Sequence, residues 1–189
     1  MDVIDAVCEP KTRDQLRAAL PDILAAPKDN GRVDLIVVRP GHGQRQLPES
    51  IRVTAAGGLE GDHWAKECWR TTDDGQPHPD IQVCFMPSRV IRAVAGPIEN
   101  WAAAGDNLFV DMDLTPENTP PGTKVAIGTV ELMITEEPHK GCEKFVERYG
   151  RDAVAFVNVG DGSRYKLRGI YGRVTKDGVI TVGDTMRKI

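Results

Sequence analysis

The stretch Gly169-Ile170-Tyr171-Gly172-Arg173-Val174-Thr175-Lys176-Asp177-Gly178-Val179-Ile180-Thr181-Val182 decides the fold. Strand-like apolar runs lie on both sides of Asp177-Gly178, and Asp-Gly between two such runs is the strongest short hairpin signal. The pattern recurs upstream. Val125 to Ile127, the pair Gly128-Thr129, and Val130 to Thr135 read as another hairpin. Further out, Val33 to Val38 is a short apolar run, Ile51 and Val53 alternate, and so do Ile81, Val83 and Phe85. Helical patterns are brief. Pro87 suits the first turn of a helix carrying Val90, Ile91 and Val94, with Gly96 as its stop. A second short helix runs from Pro97 to Ala104 and ends at Gly105. Phe145, Val146 and Tyr149 recur at helical spacing, and Asp152 is placed to cap a further helix with Val154, Phe156 and Val157. Many short strands, few long helices and frequent turn glycines predict a mainly β, α+β protein: a β-barrel decorated by short helices.

Residues 1–30 read differently. Thr12-x-x-Gln15 is a capping-box pattern, and Leu16, Leu20, Ile23 and Leu24 share one helical face. Pro21 must break that helix or start a second one. We expect a helical N-terminal extension over residues 1–30, packed on a barrel domain over residues 31–189; a partner-binding helix is the alternative. The 24 basic and 28 acidic residues leave a net charge of −4, unlike the basic stripe of a nucleic-acid binder. No apolar run approaches the roughly 18 residues of a membrane helix. Met1-Asp2-Val3-Ile4-Asp5 lacks the basic-then-apolar layout of a signal peptide. Cys8, Cys68, Cys84 and Cys142 show no CxxC spacing, and with no export signal they are expected to be reduced thiols in the cytoplasm.

The chemistry centres on Glu137-Pro138-His139-Lys140-Gly141-Cys142-Glu143-Lys144-Phe145. A strand precedes it and a helical pattern follows, so Cys142 is expected at a strand-to-helix junction. A thiol there meets unpaired backbone N–H groups and the positive end of the helix. His139, Lys140 and Lys144 add cationic or polar neighbours, and together these favour a thiolate that attacks electrophiles or binds soft metals. A buried structural cysteine is the alternative.

Arg164, Lys166, Arg168 and Arg173 form a second cluster around Gly169-Ile170-Tyr171-Gly172. Arg168 and Arg173 project from opposite faces of a regular strand. Glycines on both sides of Tyr171 permit close backbone approach to a ligand, and guanidinium groups match a phosphate-bearing cofactor. A solvated strand face explains the same residues. Residues 64–79 read as a polar loop, a candidate lid. His63, Cys68, His78 and Cys84 fit no standard structural zinc spacing.

Four segments carry a family resemblance. Gly58-Leu59-Glu60-Gly61-Asp62-His63 resembles a signature of the MOSC domain, the C-terminal domain of molybdenum-cofactor sulfurases. Gly105-Asp106-Asn107-Leu108 resembles that family's Gly-Glu-Asn-Leu turn, and Pro138-His139-Lys140-Gly141-Cys142 resembles its cysteine segment. Gly169 to Val174 with Gly178 to Asp184 looks like its ending. The resemblance implies a strand-rich barrel whose cysteine carries sulfur or ligates molybdenum; mapped here, that residue is Cys142. It implies that Lys144, Arg168, Arg173 and Asn107 hold the pterin of the molybdenum cofactor (molybdopterin) and its phosphate; from the residues themselves we add Tyr171, between its glycines, as a cofactor contact and His139, beside Cys142, as a catalytic candidate. The activity implied is reduction of N-hydroxylated small molecules. A persulfide carrier on Cys142 and a non-catalytic small-ligand module are the alternatives. Neither an aminotransferase-like half nor a ferredoxin domain lies within these residues, so an external electron donor or a cysteine desulfurase is the expected partner. A homodimer is compatible with this reading, and neither nucleic acid nor membrane is expected as a partner.

Overall fold

The structure is a computed structural model and describes residues 8–189; the acidic Met1 to Asp5 stretch lies outside them. In chain order come α1 (Arg13–Ala18), α2 (Leu20–Leu24), β1 (Gly31–Ile36), β2 (Ser50–Thr54), β3 (Gly58–Leu59) and α3 (Trp64–Glu67). Next are β4 (Val83–Pro87), α4 (Ser88–Ala95), β5 (Leu108–Asp111), β6 (Lys124–Ile127) and β7 (Val130–Ile134). Then follow α5 (Glu143–Tyr149), α6 (Arg151–Asn158), α7 (Asp161–Arg164), β8 (Ile170–Lys176), β9 (Gly178–Thr181) and β10 (Thr185–Lys188). Short 3₁₀ helices span Pro79–Ile81 and Ile98–Ala104.

Seven strands close into a barrel in the order β1-β10-β6-β7-β8-β4-β5, and β3-β2-β9 form a separate small sheet. Only β4 and β5 pair in parallel within the barrel, because α4 and the 3₁₀ helix Ile98–Ala104 carry the chain back between them. Closure leaves no free barrel edge. Alternation along the strands separates two cores. Val83 and Phe85 of β4, with Leu108 and Val110 of β5, face the barrel interior. Met86 and Phe109, one residue out of phase, face the surrounding helices instead.

The helical extension is packed on the body. Thr12 and Gln15 form the capping box that the sequence predicts, and Pro21 begins α2. Leu16 is fully buried among Met86, Val90, Phe145 and Tyr149 in the outer core. Pro87 caps α4, and Gly96 and Gly105 end the two elements that precede them with positive φ.

Two expectations need correction. The Asp177-Gly178 turn connects β8 and β9, but these strands do not pair with each other. β9 leaves the barrel and pairs with β2, from Ser50 opposite Thr181 to Val53 opposite Gly178. Asp177 helps to direct that departure, since its carboxylate accepts the Ala55 N–H at 2.8 Å. The other correction concerns Asp152, which does not cap α6; Gly150 holds that position. The Asp152 carboxylate instead accepts the backbone N–H of Arg13 at 3.1 Å, closing the start of α1 on the neighbouring element.

Candidate functional site

The turn Gly105-Asp106-Asn107-Leu108 sits where β4, β5 and the segment after β1 meet, and a polar network is built through it. Asn107 is fully buried. Its side-chain NH2 donates to the Val37 carbonyl at 3.2 Å and to Asp62 at 3.0 Å, while its Oδ1 accepts from Cys84 N and Arg39 Nη2, both at 3.1 Å. Arg39 forks onto Asp62 with two 2.9 Å bonds and also reaches the Gly105 carbonyl at 3.0 Å. Burial opposes the Asp62 charge, but the Arg39 guanidinium overcomes it and holds that carboxyl below the ordinary range. Asn107 therefore spends all its hydrogen-bonding capacity on protein partners, and it positions the turn.

Asp106 is the second hub. Arg168 Nη1 donates to both of its oxygens at 2.8 Å, and His139 Nε2 lies 3.5 Å from Oδ1. Burial pushes the Asp106 carboxyl up against the pull of Arg168. Arg168 itself is buried under the Phe145 ring, 4.9 Å from its centroid, with Nε unpaired. A guanidinium so enclosed anchors Asp106. Of the sequence-predicted residues, Arg168, His139 and Tyr171 are thus brought together, with Asn107 in the adjoining network.

His139 and Tyr171 stack at 4.4 Å on the wall of a small cavity also lined by Arg39, His63, Trp69 and Cys84. Cys84 and Tyr171 are register partners across β4 and β8, which turns both to this outer face. The cavity measures ≈ 100 Å³. Burial first, and then the charges of Arg168 and Arg39, hold His139 well below its ordinary value, so its imidazole is neutral. Its Nδ1 is buried without a partner, and so is Nδ1 of His63. Burial pushes the Cys84 thiol up to about 11, which keeps it protonated. Two neutral imidazoles, a thiol and a phenol thus surround a cavity where two buried ring nitrogens make no hydrogen bond to the protein.

Cys142 stands apart from that cavity. It is the N-cap residue of α5 and is exposed at the strand-to-helix junction the sequence predicts. The chain just before it is pinned by Asn158 of α6, whose amide accepts the Gly141 N–H at 2.9 Å and donates to the Gly141 carbonyl at 3.0 Å. Lys144 lies exposed with Nζ 3.0 Å from His42 Nε2. Arg173 pairs with Asp80 at 3.3 Å. The glycines beside Tyr171 make room for protein: a Cβ on Gly169 would stand 1.9 Å from the Phe85 carbonyl oxygen, and one on Gly172 would stand 2.8 Å from the Phe85 ring. The 64–79 segment is a short helix and a turn, tied through the Arg70–Glu137 ion pair to the stretch that leads to Cys142. Its Trp69 is 73% exposed beside the cavity mouth.

Sequence reasoning missed Arg39, Asp62 and Asn158. Arg39 and Asp62 lie 23 residues apart in the chain and meet only in the fold. Gly61-Asp62 was legible as a turn, but its ion pair was not.

A family model for the MOSC domain matches residues 60–187, more than half of the chain, and the chain belongs to that family. None of the curated proteins matches it. Among solved structures it is similar to the YuaD protein of Bacillus subtilis at 15% identity and TM-score 0.57, covering 83% of this chain and 94% of that one. YiiM from Escherichia coli aligns at 18% identity and TM-score 0.53, covering 84% and 69%. YiiM from Geobacillus stearothermophilus aligns at 16% and 0.51, covering 84% and 75%. At these identities the likeness shows the fold. The MOSC family is associated with the molybdenum cofactor, and the residues here fit that group in an exposed soft sulfur at Cys142 and an unpartnered Nδ1 on His139 in the same segment.

Proposed function

We propose that this MOSC-domain chain binds the molybdenum cofactor through the Cys142 thiolate and reduces N-hydroxylated small molecules. The observation that carries the reading is the setting of Cys142: an exposed thiol on a segment fixed at both polar atoms of Gly141 by Asn158, three residues from the unpartnered Nδ1 of His139. Such fixation suits a ligand whose sulfur must be held in one place.

When bound, the metal supplies the two-electron chemistry that removes an oxygen atom from nitrogen. Overall, R–NH–OH takes up two electrons and two protons to give R–NH2 and water, so an external electron donor is required. In this reading, the chain's own residues orient and exclude. The neutral His139 ring, its Nε2 facing Asp106, forms part of the wall beside Tyr171 and keeps that wall uncharged. Cys84 and Tyr171, both raised by burial, stay protonated beside it and hold their protons as donors. Trp69 offers a ring over the mouth for a flat substrate.

The test is molybdenum content in wild type and Cys142→Ala, both made with full cofactor biosynthesis. Near-stoichiometric metal in the wild type and its loss in the variant is the expected outcome. Folded wild type without molybdenum sinks the reading. The exposure of Cys142 also suits the second reading, a persulfide carrier that must meet a desulfurase surface. Intact mass would then show a sulfur adduct that vanishes in the same variant.

A further inference from the structure

Two of the four cysteines share one place in the fold. Cys84 on β4 is buried with Ile81 and Tyr171 in a small apolar cluster outside the barrel, and Cys68 packs against that cluster. Both thiols line the ≈ 100 Å³ cavity described above. That volume is about three water molecules' share of liquid, so the walls stand close to one another. Cys8 packs in the other core, among the outer helices, and Cys142 is exposed at the start of α5. Neither Cys68 nor Cys84 lies in the four segments that carry the family motifs.

The two cysteines are held differently. Every residue of β4 is buried, and β5 and β8 pair with it on either side, so Cys84 is fixed. Arg39 Nη1 donates to its sulfur at 3.6 Å. Cys68 is half-buried and ends α3, a single turn without a side-chain cap. Between Ala65 and Gln76 every residue but Cys68 and Thr72 is exposed. A stretch that buries so little moves at small cost. Trp64 before it is buried, and Arg70 after it is paired with Glu137. Cys68 therefore swings between two anchored points, over the cavity. A disulfide needs Cα atoms within about 7 Å. Contraction of this small cavity brings the movable thiol onto the fixed one.

We infer that Cys68 and Cys84 form a peroxide-sensitive thiol pair, a reversible modification site that closes this cavity. Cys68, the accessible member, attacks one oxygen of hydrogen peroxide. An S–O bond forms, the O–O bond breaks, and the products are a sulfenic acid and water. Cys84 then attacks the Cys68 sulfur. The S–S bond forms, the S–O bond breaks, and hydroxide leaves with the Cys84 proton as water. In all, two thiols are oxidised to one disulfide and one peroxide is reduced to two waters. Arg39 favours the negative charge that builds on the Cys84 sulfur in the second step. A small thiol reverses the bond by exchange. Under the function proposed above, the bond shuts the cavity to substrate; the bond itself does not depend on that reading.

The test is hydrogen peroxide treatment of Cys142→Ala protein, which lacks the competing exposed thiol, followed by trypsin without reductant. Cleavage after Lys66, Arg70 and Arg89 puts the two cysteines on adjacent peptides, 67–70 and 71–89. Mass spectrometry is expected to find these peptides joined, two hydrogens lighter than the separate pair, and parted by reductant. Pairing with Cys8 is expected to be at least about tenfold rarer. Cys68→Ser, at a half-buried position, keeps the fold, which circular dichroism checks, and is expected to abolish the link. Cys84→Ser is expected to leave Cys68 as a sulfenic acid that a 1,3-dione probe labels. The map reads the bond with no assay of activity, so its failure is separate from failure of the proposed function. Absence of the joined peptides, or an equal yield from urea-unfolded protein, overturns the pair.

Discussion

His139 shows how far one side chain's role depends on its surroundings. In the sequence it is a polar neighbour of Cys142; in the fold it is a neutral ring clamped between Tyr171 and Asp106. Its proton affinity is lowered in the fold, so below the ordinary value of 6.5 the unfolded chain gains a proton that the folded one refuses. The associated stability is fully present above that pH and is lost as pH falls through it toward the folded value. We expect unfolding free energy to drop by up to about 1.4 kcal/mol per pH unit from this residue below pH 6.5. Urea titrations between about pH 8 and pH 5 check it, with His139→Gln as reference. The difference between the two proteins isolates His139 from His63, whose shift has the same sign, and from Asp106, whose shift is opposite. Parallel curves would show that His139 is not held neutral. Asn107 gives the complementary lesson. The family motif marked the position, but its buried hydrogen bonds assign it to the turn.

Among elements, β8 is the one whose neighbours were misread. Its glycines were visible in sequence, but nothing local says what approaches them, and it is Phe85 of β4. Gly169 also has φ of +104°, a conformation that side-chain-bearing residues rarely adopt. Gly169→Ala is expected to cost more than about 2 kcal/mol through strain and displacement of β4 from β8. A melting temperature within error of wild type would remove Gly169 from the barrel's closure. The strand after it follows the same logic. Asp177-Gly178 makes the turn the sequence promised, yet β9 pairs with β2 because that pairing buries Ile180 in the barrel core. A turn signal fixes where a chain reverses; the partner depends on what apolar surface remains to be covered.

At the scale of the whole molecule, the barrel interior and the outer helical core share strands β4 and β5, one face each. Damage to the outer core should therefore reach the barrel. Leu16→Ala, on the N-terminal helix, is expected to cost about 3 kcal/mol and to lower one cooperative transition. Two separate transitions would mean that the extension folds as its own unit. By itself the sequence determined the barrel class, the β6–β7 hairpin, the capped helical extension and the junction at Cys142. Each of these rests on alternation, caps and turn residues, which act between near neighbours in the chain. Only the tertiary structure decided that Arg39 meets Asp62, that Arg168 serves Asp106 and that Arg173 pairs with Asp80. Those pairings join segments tens of residues apart, and their energy comes from burial and counter-charge, which exist only once the barrel has closed.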